Sequence, residues 1–256
     1  MHVGGSVAAY VSDEVFKRNI TVLSGNEIFA RSVAEGCICY ILAALRSLPI
    51  YLDTMKKDGW KCDDQYSYQG LLYKKFGMVG YGTISKYLCE MLKPFHVELL
   101  IYSSHEVKEE NARMATLDEI FSTCDIISLH SAWNKKTEGM IKAGHLSKIK
   151  DGALLVNTAR APIIEEDALY AELRKGRFNA FFDVYYEEPL PMDSPLRSFD
   201  NVFLMPHSAG PTADMRNRVG VALLEDIKRF IKGEQCINVV TNEQASRMTI
   251  EKRGKK

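Results

Sequence analysis

From residue 76 onward the chain alternates short apolar runs with segments of helical periodicity. The runs cover residues 76–80, 97–102, 125–129, 153–157, 179–183 and 201–204. Most are nearly continuous in apolar residues, as parallel strands covered on both faces require. Helix-length segments such as 83–93 and 165–175 separate them, the second closing at Gly176 with Arg174 and Lys175 in its last turn. Six strands joined by crossovers predict an α/β fold with an open, doubly wound parallel sheet. Ahead of it, residues 30–48 read as a helix with Val33, Cys37, Ile41, Ala44 and Leu45 on its apolar side, stopped by Pro49. After it, residues 212–232 place Val219, Leu223, Leu224, Ile227 and Ile231 at helical spacing. Both stripes read as core. The first 25 residues fall short of the roughly 40 that a free-standing domain needs, so they must lean on another part of the chain.

Composition narrows the classes. Hydrophobic residues make up 46% of 256 and charged residues 26%, ordinary for a globular protein. Thirty-three basic residues balance 33 acidic ones, so the basic excess of a nucleic-acid binder or a membrane-surface protein is missing. A short basic tail (Lys252, Arg253, Lys255, Lys256) reads as a solvated terminus. The six cysteines (Cys37, Cys39, Cys62, Cys89, Cys124, Cys236) form no C-x-x-C pair, which disfavours zinc and disulfide frameworks and suits reduced thiols in a cytoplasmic protein. The longest apolar run, 37–45, is half a membrane span, and Asp13 and Glu14 come too early for a signal peptide.

Candidate chemistry begins after the first strand, at Gly80-Tyr-Gly82-Thr83-Ile84-Ser85. Gly80 suits a tight turn, Gly82 lets a pyrophosphate approach the backbone, and the following helix start supplies N–H donors. Ser85 stands where a third glycine is expected and is small enough for close helix–strand packing. A strand–turn–helix context favours dinucleotide binding over a merely structural turn. About 20 residues on, an acid is expected to bond the ribose 2′-hydroxyl, but the strand ends Tyr102-Ser103-Ser104-His105. Either a 2′-phosphate is accepted there, with Ser103, Ser104, His105 and Lys108 as donors, or the dinucleotide is held less firmly.

Three later strands end in polar groups: Arg160, Glu188 and His207. In an open α/β sheet the ligand crevice lies beyond the carboxyl ends of the strands, so the three can converge. A cation holds a carboxylate, an imidazole exchanges protons near neutrality, and a carboxylate partners the imidazole.

With these stretches in view, the sequence resembles the D-isomer-specific 2-hydroxyacid dehydrogenase family. The resemblance rests on Ser32-Val-Ala-Glu35, Gly80-Tyr-Gly82, Ser128-Leu-His130, the run from Gly152 to Arg160, the run from Asp183 to Pro189, and Pro206-His-Ser-Ala-Gly210. It implies a Rossmann-type domain and hydride transfer between NAD(P)H and a small 2-oxo or 2-hydroxy acid. By that resemblance Arg160 holds the substrate carboxylate, His207 is the acid in reduction, and Glu188 is its partner. Asp183 would position the nicotinamide carboxamide. Thr158 and Ala159 would line the cofactor, together with His130, Arg160, His207 and Ala209. Gly4-Gly5-Ser6 resembles the family's substrate-carboxylate loop. A homodimer is implied through the helix from Ala30.

The sequence departs from the family at Ser85, at Ser103 (an acid), at Ala132 (a proline) and at Ala161 (a glycine). The glycine loop follows Met1 almost directly, so a remnant of the substrate lobe is expected in 1–25, a dinucleotide-binding domain in 26–212, and a returning C-terminal helix and tail in 213–256. With so little of the second lobe, cofactor binding is expected to outlast turnover. The rival reading is a catalytically idle dinucleotide-binding or dimerising protein.

Overall fold

A computed structural model describes residues 1–57, 59–60 and 69–249; Cys62 and the basic tail lie outside the described residues. Seven strands form one parallel sheet: β1 (Lys75–Val79), β2 (Glu98–Tyr102), β3 (Ala112–Met114), β4 (Ile126–Leu129), β5 (Leu154–Asn157), β6 (Asn179–Phe182) and β7 (Val202–Leu204). Their order is β3-β2-β1-β4-β5-β6-β7, which is the Rossmann arrangement with its reversal between β1 and β4. The six expected strands are all present. The seventh, β3, is an edge strand carrying Arg113 between partly exposed neighbours, so it shows no apolar run.

Side chains alternate between the two faces. Phe76, Met78, Ile126 and Val156 pack toward α2 (Asn26–Leu45) and α4 (Thr83–Leu92). Val79, Ile127, Leu129 and Leu155 pack toward α5 (Leu117–Thr123), α6 (Ala143–Leu146) and α7 (Glu166–Leu173). Both faces being covered explains why the strands read as continuous apolar runs rather than alternating ones.

The first long helix departs from expectation. Pro49 does not stop it: α2 ends at Leu45, Ser47 takes a left-handed conformation (φ 51°), and Pro49 sits in the first turn of α3 (Leu48–Lys56). A proline lacks the N–H that the first turn leaves unused, so it starts a helix as readily as it ends one. By length and composition alone α2 could cross a membrane; here its Ala34, Cys37, Tyr40 and Ile41 are buried in the core.

The C-terminal stripe is core only in part. In α8 (Ala213–Ile231), Val219 and Leu223 are buried, whereas Leu224 and Ile231 are exposed. Helical spacing placed them correctly on a helix, but only the turn facing Leu23, Ile28 and Phe29 finds a partner.

The N-terminal residues lean on the C-terminal segment. After a short helix, α1 (Asp13–Lys17), Val22 accepts from the Val240 amide (2.8 Å), and the Ser24 amide donates to the Asn238 carbonyl (3.0 Å). Val7, Val22, Val240 and Ala245 bury one another, with Ala245 on α9 (Asn242–Ser246). Beneath them Asp226 of α8 is fully buried and accepts from the Ile237 and Asn238 amides, both at 2.8 Å.

Candidate active site

The glycine turn has the geometry its sequence suggested. Gly80 has φ +102°, and a Cβ there would lie 2.6 Å from the Ser131 amide, so conformation and close approach both require glycine. A Cβ on Gly82 would meet nothing within 4 Å, leaving open space at the start of α4. Ser85 is buried and donates to the Gly80 carbonyl (2.8 Å), so the residue in the third glycine's place fastens the turn to the helix. Among the described residues the Thr83, Ile84 and Ser85 amides have no acceptor, the condition in which a helix start receives an anion.

Beside that turn lies the end of β2. The His105 amide donates to Ser103 Oγ (3.1 Å), and its ring Nε2 lies 3.2 Å from the Tyr81 carbonyl within the glycine turn. Ser104 Oγ approaches His105 Nδ1 at 3.0 Å. Ser103, Ser104 and His105 are therefore gathered at the turn. Lys108 is further out, exposed and 3.8 Å from Glu106. Glu109 reaches back to the turn and accepts from the Tyr81 hydroxyl (2.6 Å).

The crevice floor is built from β4 and β5. Burial pushes the His130 imidazole down to about 4, so the ring is neutral, with Nε2 2.8 Å from Ser128 Oγ. Ser128 Oγ in turn meets the Cys37 thiol (3.4 Å), which burial pushes up to about 11. Asn157, the last residue of β5, shapes the next turn by accepting from the Ala159 amide (3.0 Å) and donating to the Arg160 carbonyl (3.1 Å). The Thr158 hydroxyl is buried with no hydrogen-bond partner in good geometry, although it influences the Cys37 thiol.

Glu188 and His207 come together across two strand ends. Glu188 Oε2 lies 2.6 Å from His207 Nδ1, and Oε1 accepts the Tyr185 amide (3.0 Å). Both side chains are partly exposed, at 34% and 44%. Tyr185 ties the two strands by donating to the carbonyls of Phe182 and Met205. Arg160 follows β5, the strand beside β6, so the three expected groups stand at the ends of three adjacent strands.

Asp183 is engaged by protein at both oxygens. Oδ1 accepts the Ser208 amide (2.7 Å) and Oδ2 the Ala209 amide (2.9 Å). The loop carrying His207, which has φ +52°, is thus bonded to the end of β6. On its other side the loop meets α2, where a Cβ on Gly36 would lie 2.8 Å from the Ala209 carbonyl. Sequence reasoning missed Gly36, Tyr40 and Tyr185. Tyrosine in a core stripe was the available signal, because its buried hydroxyl must find a partner.

The N-terminal glycines are held in place by others. Ser24 Oγ reaches the Gly4 and Gly5 carbonyls at 2.9 Å each, and Ser6 Oγ donates to the Thr249 carbonyl (2.8 Å). Thr249 Oγ1 also accepts the Trp133 amide after β4 (3.2 Å). Among the described residues the Gly4, Gly5 and Ser6 amides have no acceptor. Two sizeable cavities lie elsewhere: 550 Å³ near Cys89, His96 and Glu110, and 620 Å³ between α2 and α8. Neither is lined by Arg160, Glu188 or His207.

A dinucleotide fits what is present: open space over Gly82 and free amides at the α4 start. Sheet order and glycine turn together define a dinucleotide-binding domain. Residues 38–209 match the D-isomer specific 2-hydroxyacid dehydrogenase, NAD binding domain. D-3-phosphoglycerate dehydrogenase of Methanocaldococcus jannaschii is 33% identical over 232 residues, covering 88% of this chain and 44% of that protein. Glyoxylate reductase of Thermofilum pendens is 33% identical over 249 residues, covering 93% and 73%. The acyclic imino acid reductase Bsp5, solved with NADPH and D-Arg, superposes with a TM-score of 0.81 at 25% identity, covering 93% of this chain and 76% of that one. The chain belongs to the D-isomer specific 2-hydroxyacid dehydrogenase family. It spans less than half the length of the Methanocaldococcus relative.

Proposed function

We propose that the chain reduces a small 2-oxo acid to the D-2-hydroxy acid, reversibly, with NAD(P)H. The observation that carries this reading is the 2.6 Å contact between Glu188 Oε2 and His207 Nδ1 at the carboxyl edge of the sheet. A nicotinamide bound in the crevice would supply the hydride in reduction and accept it in the reverse direction. Arg160 holds the substrate carboxylate, helped by the Gly4, Gly5 and Ser6 amides. Glu188 fixes the ring by Nδ1, leaving Nε2 to give a proton to the carbonyl oxygen and to recover it in the reverse direction. The same carboxylate offsets the positive charge of the imidazolium. The Gly82 turn and the amides of Thr83 and Ile84 would hold the pyrophosphate, and Thr158, Ala159, His130 and Ala209 would line the cofactor.

The reading extends to cofactor preference and assembly. Ser103 in place of an acid removes the charge that would repel a 2′-phosphate, and Ser104 and His105 stand beside it, which favours NADPH. A cytoplasmic homodimer packed through α2 and α3 suits the exposed Leu48, Leu52 and Met55 of α3. The test is oxidation of NADPH and NADH followed at 340 nm with glyoxylate, hydroxypyruvate, pyruvate and 2-oxoglutarate. Acid-dependent oxidation abolished by His207→Gln supports the reading; tight cofactor binding with no oxidation by any acid favours the idle dinucleotide-binding protein.

A further inference from the structure

Among the described residues, the Tyr40 hydroxyl is the one side-chain donor from α2 shown to reach the carboxylate beneath the His207 loop. It lies 3.2 Å from Asp183 Oδ1 and 3.1 Å from Ser208 Oγ. Its ring is buried and stacked on Phe181 of β6, with centroids 4.5 Å apart and planes 10° from parallel. The hydroxyl is therefore delivered to a fixed point. Burial pushes Tyr40 up to about 12, so it remains a neutral O–H donor wherever the enzyme works. The arrangement that satisfies every proton has Ser208 Oγ donating to Tyr40 and Tyr40 donating to Asp183.

Asp183 needs such donors. It is 1% exposed, and burial raises its carboxyl, while the Ala209 and Ser208 amides, the nearby His207 and the Tyr40 hydroxyl act to lower it. The titratable groups facing it are Tyr40 and Cys37 from α2, His207 from the loop after β7, and Tyr185 from the extension of β6. An ionised Asp183 makes two charge-assisted bonds to the amides that follow His207. His207 itself holds a left-handed conformation, uncommon for a residue with a side chain, which persists only where its surroundings fix it. Ser32, Gly36 and Tyr40 are spaced four residues apart, and all three meet the loop: Ser32 Oγ lies 3.5 Å from the Gly210 carbonyl, Gly36 abuts Ala209, and Tyr40 meets Ser208. One helix face thus cradles residues 208–210.

We infer that Tyr40 is a positioning residue: its hydroxyl, acting through Asp183 and Ser208, sets the conformation of the loop that presents His207 to the substrate. The catalytic consequence rests on the proposed dehydrogenase activity; the structural one does not.

Tyr40→Phe keeps the ring and its stacking and removes only the hydroxyl. The experiment follows the amide signals of Ser208 and Ala209 by NMR in ¹⁵N-labelled protein between pH 7.5 and 4, and oxo-acid reduction in parallel. Both amides should report the Asp183 titration, and its midpoint should rise by about half a pH unit or more in Tyr40→Phe. Ser208→Ala should move it in the same direction by less. In turnover, kcat should fall about tenfold while cofactor affinity stays within about twofold. A merely structural tyrosine would leave the titration in place. Unmoved amide signals and an unmoved midpoint would overturn the inference, whether or not the wild type turns over. A moved midpoint in a wild type without turnover would sustain the hold on the loop and reject the dehydrogenase reading instead.

Discussion

Glu188 is shared between two partners: one oxygen lies 2.6 Å from His207 Nδ1, the other takes the Tyr185 amide at 3.0 Å. The carboxylate is thereby fixed before it meets the imidazole, and the imidazole tautomer follows from it. Replacing Glu188 by Gln keeps the shape and removes the charge that steadies the imidazolium. We expect oxo-acid reduction to lose about 10²-fold in kcat, and His207→Gln to lose at least that, with NADPH binding preserved in both. Steady-state rates and fluorescence titration separate the two quantities. Equal rates in wild type and Glu188→Gln would remove Glu188 from the reaction.

The proposed preference for NADPH is tested at the end of β2. Ser103 accepts the His105 amide and carries no charge. NADPH should bind several-fold more tightly than NADH, and Ser103→Asp should reverse the order by setting a carboxylate against the 2′-phosphate. Nicotinamide fluorescence titrations with both cofactors check this. Tighter NADH binding by the wild type would contradict it.

Two glycines in helices should respond oppositely to alanine. At Gly36 the new methyl would press on the Ala209 backbone, at 2.8 Å from its carbonyl oxygen, so α2 must move or the His207 loop must shift. A loss of about 1–3 kcal/mol is expected. At Gly220 of α8 nothing lies within 4 Å, and alanine should stabilise by about 1 kcal/mol through helix propensity. Thermal unfolding of both variants is the measurement, and a stabilised Gly36→Ala would show that the contact yields cheaply.

Asp226 should couple the N-terminal segment to acid stability. Burial pushes its carboxyl up, but the Ile237 and Asn238 amides, the Asn238 side chain and Arg229 outweigh that and hold it below the usual range. A depressed carboxyl stabilises the fold above its unfolded value near 3.9, and that stability is lost as pH falls through the folded value. Asp226→Asn should therefore cost about 3 kcal/mol at neutral pH, with the gap to wild type narrowing below pH ~4. Because Asn238 accepts from Ser24, and Ser24 holds Gly4 and Gly5, the variant should also raise KM for the oxo acid. Unfolding curves between pH 3 and 8 would show a constant gap if Asp226 is not the titrating group.

The chain's own pattern was enough for the doubly wound sheet, the glycine turn and the three polar strand ends. These are written locally: apolar runs are strands buried on both faces, glycines sit where φ is positive, and topology sends strand ends to one edge. Pairing of Glu188 with His207 was also anticipated, since adjacent strands carry them. What the sequence left open depends on contacts between distant segments. β3 is held by pairing to β2 rather than by its own apolarity, so no run marks it. Pro49 fits a first turn as well as a last one, and only the left-handed Ser47 decides which. Leu224 and Ile231 have the spacing of a core but face no partner. Tyr40 and Gly36 look like ordinary positions of an apolar helix until α2 packs on the sheet, where with Ser32 they meet the loop after β7. Periodicity fixes which residues share a helix face; only packing determines what that face touches, because Asp183 bonds the loop from 25 residues away, whereas Tyr40 reaches it from 168 residues away.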